Sequence, residues 1–301
     1  MKSGRLLGLA DSPYILLVLA VFFWAGNFIV GRAVRADVPP VALAFWRWFV
    51  ASLVVIALAW RHLPADMGNL RRGWLPVVLL SIAGITSFNT LVYIGLQYTI
   101  AVNALLMQSL MPVLIVGLSY VFFRERIGII QGCGVVISLA GALVIIGQGR
   151  ADVLLSLSMN RGDVLVFLAV VGYAGYSIGL RKRPAVHPFS FVAATFVVGD
   201  LFLLPLYIWE SMAAGHTLRL DANAIMAIGY VAIFPSIVSY LCFNRGVELV
   251  GANRAGMFIH LLPVFGSAMA IIFLGESLQW FHAGGILLIA AGIFMATHRR
   301  Q

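Results

Sequence analysis

The sequence predicts an all-α integral membrane protein with ten transmembrane helices, arranged as two inverted five-helix repeats around a central cavity. Hydrophobic residues make up 62% of its 301 residues and charged residues 10%, whereas soluble domains contain about 25% charged residues. The second half of the chain also repeats the first. MQSLMPVL at Met107–Leu114 aligns with FIHLLPVF at Phe258–Phe265, which pairs Pro112 with Pro263.

Charged and turn residues divide the chain into apolar segments, each near the roughly 20 residues that a helix needs to cross a bilayer. The first half contains segments 13–34, 41–60, 74–97, 102–122 and 127–147. The second half contains segments 162–180, 188–209, 222–244, 252–274 and 279–297. We therefore expect a first repeat over residues 1–147, a connecting loop over 148–161 and a second repeat over 162–301, which together form one structural unit.

The basic residues predict the orientation of these spans. Of the 20 Lys and Arg residues, fourteen lie in segments that are cytoplasmic if the N-terminus is inside, five lie in outer loops, and Arg47 lies within a span. Cytoplasmic loops carry an excess of Lys and Arg, so we expect both termini in the cytoplasm and loop 148–161 outside. Five spans per repeat is an odd number, which inverts the second repeat relative to the first. Inverted repeats build many secondary transporters, with the substrate site between the copies.

Other classes of function lack support in the sequence. The net charge of +9 follows from basic residues at span ends and does not indicate nucleic acid binding. The metalloprotease pattern HExxH, the phosphate-binding pattern GxxxxGK[ST] and clustered Cys and His ligands are missing from the sequence. We therefore expect no enzyme activity, no cofactor and no metal site. A duplicated structural protein, a lipid flippase and a passive channel remain open as alternatives to a carrier.

Several features resemble the EamA family of the drug/metabolite transporter superfamily: a proline in the fourth span of each half, a glutamate at that span's end, and glycines in the span that follows. The residues concerned are Pro112, Pro263, Glu125, Glu276, Gly132, Gly134, Gly141, Gly284, Gly285 and Gly292. The segments FWAGNFIVGR at 23–32 and FWRW at 45–48 are similar to the family's first and second spans. The resemblance implies a bundle in which spans one to four and six to nine surround a cavity, with spans five and ten outside it. Within the family, the chain is most similar to YddG-type exporters of aromatic and other amino acids, which implies a bacterial inner membrane.

Helical spacing selects side chains for the cavity wall. Trp24, Asn27 and Phe28 share one face of span one, and the repeat places Tyr173, Tyr176 and Ser177 on the equivalent face of span six. Amides and hydroxyls deep in a bilayer need partners or a water-filled space, so polar and aromatic side chains of other spans join the set. These are Asn89, Tyr93, Asn103, Met107, Gln108, Ser239, Tyr240, Phe243 and His260. The alternative role is interhelical packing, in which Ser and Asn side chains hydrogen-bond across helices.

Five residues within the spans have roles that the sequence leaves open or assigns to packing. Pro112 and Pro263 predict helix kinks, which shape the bundle, act as hinges or free backbone carbonyls for substrate. Arg47 is expected to snorkel or to pair helices, with a clamp for a substrate carboxylate as the alternative. Asp200 is expected to fix a helix contact. His260 is equally well a cavity-facing group and a hydrogen-bonded core histidine.

Together these features predict a secondary transporter that exports aromatic and other neutral amino acids and related metabolites by alternating access. Its partners are a small-molecule substrate and the lipid bilayer, and a monomer is expected to suffice. Exporters of other small metabolites or drugs, and a passive channel, are the alternatives. Because few ionisable groups lie within the spans, we expect proton coupling to be weak or absent.

Overall fold

The computed structural model describes residues 12–34, 37–156, 158–212, 215, 218–219, 221–274 and 277–297, and every regular element in these ranges is helical. Glu276, both ends of the chain and the side chain of Arg32 lie outside what is described. Nine helices in the described ranges are long and apolar enough to cross a membrane. They agree with nine of the segments predicted from the sequence.

The first repeat contains spans one to five. Their helices are Pro13–Ala33 for span one, Pro40–Ala59 for span two, Trp74–Ser81, Ile82–Ser87 and Phe88–Gly95 for span three, Ala101–Ser109 and Met111–Phe123 for span four, and Ile129–Ile146 for span five. Spans one and two each begin with a proline at the first helical position, where its missing N–H is not needed. A short polar helix, Leu63–Arg72, connects spans two and three.

The second repeat contains spans six to eight, segment nine and span ten. Their helices are Arg161–Gly179 and Leu180–Lys182 for span six, Pro188–Met212 for span seven, Ala222–Val231, Ala232–Val238 and Ser239–Val250 for span eight, Ala252–Met257, Phe258–Leu261 and Leu262–Leu274 for segment nine, and Trp280–Thr297 for span ten. The short helix Ala151–Leu155 precedes span six. Segment nine is divided into three helical pieces and is not among the nine candidate spans. A total of ten spans therefore stays a prediction.

The packing of the spans follows a two-fold relation between the repeats. Span two packs on span seven, and span five packs on span ten, so each of these helices contacts its own counterpart. Span three packs on span six, and the equivalent pair, span eight on span one, is also in contact. This pairing places spans five and ten together and leaves the first four spans of each repeat around the centre.

Spans five and ten cross at glycines. A Cβ at Gly134 would lie 2.6 Å from the carbonyl oxygen of Gly292, and a Cβ at Gly141 would lie 2.7 Å from that of Gly285. Only glycine allows backbones to approach this closely. Gly134, Gly285 and Gly292 make this close contact, whereas a Cβ at Gly284 or Gly128 would meet nothing within 4 Å.

The outer surface of the bundle is suited to lipid. Four tryptophans at span ends have exposed side chains: Trp60, Trp74, Trp209 and Trp280. Tryptophan is enriched at the headgroup level of a bilayer because its ring is apolar and its N–H is polar. The exposed side chains thus agree with a multi-pass membrane protein.

Candidate functional site

A narrow cavity lies at the centre of the bundle, between the two repeats. Seven of the segments contribute to its wall, and spans five, seven and ten do not. The lining residues are Trp24, Asn27, Phe28, Arg47, Phe88, Asn89, Gln108, Met111, Tyr173, Tyr240, Ile259 and Leu262. The empty space among them is about 370 Å³, part of it open to solvent.

One side of this cavity is built around Arg47 of span two, whose side chain is 1% exposed. Its Nη1 donates to Oδ1 of Asn27 at 2.8 Å and to Oδ1 of Asn89 at 2.9 Å. The Tyr93 hydroxyl lies 2.9 Å from the same nitrogen and itself donates to Asn27 Oδ1. The Nε group donates to Ser236 Oγ at 2.6 Å. Arg47 therefore connects spans one, two, three and eight and does not snorkel to the membrane surface.

Another part of the cavity wall is aromatic. The Trp24 ring meets Tyr173 edge-on at 5.5 Å between centroids and Tyr240 at 6.2 Å. Phe88 lies 4.7 Å from Tyr173. Edge-to-face contacts of this kind stabilise aromatic clusters. The cavity thus joins an aromatic wall to a polar one.

Two cavity amides are not fully satisfied by the protein. Asn89 Nδ2 and Gln108 Nε2 are buried and have no hydrogen-bond partner among the described residues. The side-chain oxygen of Asn89 accepts from Arg47, and its NH₂ group remains unpaired. Buried polar groups are nearly always hydrogen-bonded, so unpaired donors that line a cavity indicate a polar ligand or water.

Backbone irregularities hold parts of the aromatic wall in place. Span three contains a π-helical stretch, Ile82–Ser87, and span eight contains another, Ala232–Val238. Each is therefore in the third span of its repeat. The Tyr240 hydroxyl donates to the Gly84 carbonyl, and Trp24 Nε1 donates to the Pro235 carbonyl at 3.0 Å. π-Helical turns occur frequently at functional sites, and here their carbonyls orient two cavity side chains.

Seven of the residues predicted for the cavity line it: Trp24, Asn27, Phe28, Asn89, Gln108, Tyr173 and Tyr240. Tyr93 lies directly behind them and binds Arg47. Tyr176 donates to Asn244 Oδ1 at 2.8 Å, and Phe243 packs 5.1 Å from the Trp24 ring. Both support the aromatic wall from outside the lining.

Other predicted residues make contacts between or within helices. Ser239 donates to the Ala20 carbonyl and so ties span eight to span one. Ser177 donates to the Tyr173 carbonyl of its own helix. Met107 is buried, and Met111, one turn later, takes the position on the cavity wall.

Asn103 belongs to a separate polar cluster. Its Nδ2 donates to Asp163 Oδ2 at 3.0 Å, and the Thr99 hydroxyl donates to the other oxygen of the same carboxylate. Asn160 and Asp163 also form a capping box at the start of span six. In it, their side chains accept hydrogen bonds from backbone N–H groups that have no partner within the helix. The cluster joins the starts of spans four and six and is not part of the cavity lining.

His260 is a core histidine in the structure. Its Nδ1 lies 2.7 Å from Ser138 Oγ, and its Nε2 lies 3.0 Å from the Ser109 carbonyl oxygen. Both ring nitrogens therefore have partners, and the side chain is fully buried. Asp200 of span seven is also buried and absent from the cavity wall.

Both predicted kink prolines lie at helix breaks. Pro112 is in the first turn of Met111–Phe123, directly after the interruption at Leu110. Pro263 is the second residue of Leu262–Leu274, directly after the 3₁₀ turn Phe258–Leu261. A proline in the first helical turn removes no hydrogen bond, which is why the chain starts a new helix at each of these positions.

Comparison with known proteins identifies the group to which this architecture belongs. The sequence model of the EamA-like transporter family matches residues 11–147 and again residues 160–297. The chain belongs to this family. The EamA membership places it in the drug/metabolite transporter superfamily and makes it a membrane transporter rather than an enzyme.

Two relatives that match along nearly their full length are named as transporters. The chain is 28% identical over 286 residues to the uncharacterized transporter YyaM of Bacillus subtilis. This match covers 94% of this chain and 93% of the relative. It is 25% identical to an uncharacterized transporter of Archaeoglobus fulgidus, with coverage of 97% and 99%. A chloroplastic WAT1-related protein of Arabidopsis thaliana is 23% identical, with coverage of 98% of this chain and 72% of that protein.

A solved crystal structure has the same fold. The TM-score is 0.78 at 20% sequence identity, and the match covers 95% of this chain and 96% of the other. The superposition supports the helical arrangement described above.

One hydrolase-like pattern in the sequence has another explanation. Gly175–Gly179 reads GYSIG, which matches the GxSxG pattern. A nucleophile elbow needs a sharp strand-to-helix turn that exposes the serine. These residues instead lie inside the helix Arg161–Gly179, and Ser177 is buried and bonded to Tyr173. Within the described ranges, no group of His, Cys, Asp and Glu could hold a metal ion.

Proposed function

We propose that this protein is a secondary transporter that exports aromatic and other neutral amino acids, and related small metabolites, by alternating access. The observation that carries the proposal is the cavity between the repeats, whose lining combines aromatic rings with amide and guanidinium groups. Apolar surface with a few placed polar groups is typical of small-molecule sites. Aromatic rings accept an apolar or aromatic side chain, and the polar groups accept the charged end of an amino acid.

The composition of the wall argues against phosphorylated sugars. A phosphate group is held by several cationic or backbone donors together. Arg47 is the one basic side chain among the residues that line the cavity of the described structure. A doubly charged phosphate would leave most of its charge unpaired there.

Alternating access requires contacts that open and close at the two ends of the bundle. At the end predicted to be cytoplasmic, Arg181 after span six pairs with Glu125 after span four at 2.5 Å. Arg183 pairs there with Glu248 of span eight at 2.9 Å. Partly exposed ion pairs contribute only about 0–1 kcal/mol each, so they hold this end closed and still open readily.

The cavity must also widen, because its walls lie close together around a fully buried network. The π-helical stretches of spans three and eight, and the breaks before Pro112 and Pro263, are the places where the helices bend at low cost. They surround the cavity and occur at matching places in the two repeats. Two nearly equivalent conformations, one open to each side, follow from this pseudo-symmetry.

The proposal includes a location and an orientation. The excess of basic residues on one side supports an orientation with both termini in the cytoplasm and residues 148–161 outside. The resemblance to YddG-type exporters implies a bacterial inner membrane. Each repeat contributes to a cavity that lies within one chain, which supports a functional monomer.

Uptake of labelled amino acids into proteoliposomes of the purified protein tests this function. We expect saturable uptake of phenylalanine, competed by other aromatic and neutral amino acids and unaffected by a sugar phosphate. Empty liposomes and the variant Trp24→Ala serve as controls, because loss of the Trp24 ring removes one side of the aromatic wall. Robust transport of a sugar phosphate together with no transport of any amino acid would refute the proposal.

A further inference from the structure

We propose that the guanidinium of Arg47 binds the carboxylate of the transported molecule, so that the carboxylate is required and the α-amino group is dispensable. This inference rests on the proposed function and names its substrate class. The preferred molecules carry one carboxylate on an apolar or aromatic body. Amino acids belong to this class, and so do the corresponding carboxylic acids without an amine.

The first step in the argument is the charge of Arg47. The side chain is 1% exposed within a membrane span. Its hydrogen-bond partners are all neutral: Asn27, Asn89, Tyr93 and Ser236. The guanidinium also lies over the neutral ring of Trp48, with 4.7 Å between Cζ and the ring centroid. No acidic side chain of the described residues forms an ion pair with it. Buried charges in a membrane are rare and are normally paired, because a lone charge in a low-dielectric interior costs much free energy.

The second step is the set of donors that the protein leaves unused. The neutral partners of Arg47 occupy Nε and Nη1, and no described residue accepts a hydrogen bond from the two N–H groups of Nη2. Asn89 Nδ2 and Gln108 Nε2 are also unpaired and line the same cavity. The wall thus offers an excess of donors around one positive charge. A carboxylate has two acceptor oxygens and no donor, so it accepts hydrogen bonds from Arg47 Nη2 and from these amide NH₂ groups.

The third step concerns the amine of an amino acid. The described residues that line the cavity include no aspartate or glutamate. Asp163, the acidic side chain of the outer polar cluster, already accepts hydrogen bonds from Thr99 and Asn103. An ammonium group would therefore find no opposite charge at the site. It is tolerated and contributes little to binding, whereas the carboxylate provides the charge that Arg47 lacks.

The alternative role for Arg47 is purely structural, since it ties four spans together. A structural arginine would support binding of all ligands equally and would not distinguish a carboxylate from an amine. The test therefore compares ligands that differ only in these two groups. Phenylalanine, 3-phenylpropionate and phenethylamine share the same aromatic body and carry both groups, the carboxylate alone and the amine alone.

The measurement is the ligand-induced increase in the unfolding temperature of the purified full-length protein, which reports binding to the folded state without requiring transport. We expect 3-phenylpropionate and phenylalanine to stabilise the protein at similar concentrations. Phenethylamine should need at least about thirtyfold higher concentration, the size expected when a buried charge pair loses one partner. Equal stabilisation by phenethylamine and 3-phenylpropionate, or no stabilisation by either carboxylate, would overturn the inference.

Variants of Arg47 add a second readout. Arg47→Gln should abolish the preference for 3-phenylpropionate over phenethylamine. Arg47→Lys should retain part of this preference, because the positive charge remains but the planar set of guanidinium donors is lost. Arg150→Gln, in the exposed segment before span six, is the matched control and should keep the full preference. An undiminished preference in folded Arg47→Gln would contradict the inference. If Arg47→Gln does not fold, the ligand comparison on the unaltered protein decides alone.

The two proposals fail in different ways. Carboxylate-selective stabilisation without uptake of any amino acid would leave the Arg47 site standing and refute amino acid export. Amino acid uptake with no discrimination between carboxylate and amine would support amino acid export and refute the Arg47 site.

Discussion

At the residue scale, His260 shows how a titratable side chain within the bundle is kept out of the transport site. It bonds to Ser138 of span five and to the carbonyl of Ser109 in span four, and it is fully buried. The 151-residue separation of Ser109 and His260 is also the shift between the repeats. His260 therefore contacts its own counterpart where span four and segment nine meet. A histidine used in this way has no free nitrogen to exchange protons with a cavity.

Replacing His260 with alanine should destabilise the fold. The change leaves the Ser109 carbonyl and the Ser138 hydroxyl without this partner, which should lower the free energy of unfolding by about 1–3 kcal/mol. Thermal unfolding in detergent measures the loss, with the exposed His62→Ala as the control. In proteoliposomes with equal amino acid on both sides, an imposed pH gradient should give no net accumulation of amino acid. This should hold for the unaltered protein and for His260→Ala. Ionophore-sensitive accumulation that His260→Ala abolishes would contradict this role.

Periodicity identifies the face of a helix and not the partners of a side chain. The face of span one that carries Trp24, Asn27 and Phe28 does line the cavity. Positions i, i+3 and i+4 lie on one face of a helix, so the spacing alone identifies this face. The partners of His260 come from spans four and five and leave no trace in local spacing. Arg47 had a clear signal, since a charge within a membrane span is functional by default. Its flanking tryptophans and its position near a span end predict snorkelling or helix pairing, and the structure shows the pairing.

At the scale of elements, spans five and ten form a tight pair whose glycines have separable roles. A Cβ at Gly285 would lie 2.8 Å from the Gly141 carbonyl oxygen and 2.4 Å from Ile145 Cγ1, whereas a Cβ at the neighbouring Gly284 would meet nothing within 4 Å. Two adjacent glycines in one helix thus provide a matched pair for a test of packing.

Gly285→Ala should lower the free energy of unfolding by about 1–3 kcal/mol, since an added methyl group in a close-packed contact forces the two backbones apart. Gly284→Ala should be neutral, or stabilising by up to about 1 kcal/mol, because alanine is the better helix former. Comparing thermal unfolding of the two variants checks this. Equal effects would mean that the close crossing of spans five and ten is absent.

The sequence predicts the positions of the spans well and their internal irregularities poorly. Hydropathy and charge locate nine spans to within a few residues, because crossing a bilayer imposes length and composition together. The π-helical stretches have no such signature, since a shift from i+4 to i+5 hydrogen bonding hardly changes the apolar content of a span. Pro235 within span eight was the one local hint.

At the scale of the whole molecule, the two repeats meet around a cavity that both of them build. Spans one to four contribute the arginine, the amides and one tryptophan, and the second repeat contributes Tyr173 and Tyr240. Duplication is visible in the sequence, and it predicts that the site lies between the copies. The closure of the cavity around Arg47 depends on contacts between spans one, two, three and eight, which only the folded structure reveals.

The measurement that tests the central claim most directly is counterflow in proteoliposomes. Vesicles are loaded with unlabelled phenylalanine and diluted into a trace of labelled phenylalanine, without any ion gradient. A carrier that exposes one site alternately to each side exchanges the two, so the account predicts a transient accumulation of label above equilibrium. Label that only approaches equilibrium, at a rate that does not saturate and does not respond to the internal amino acid, would show a channel and contradict the account.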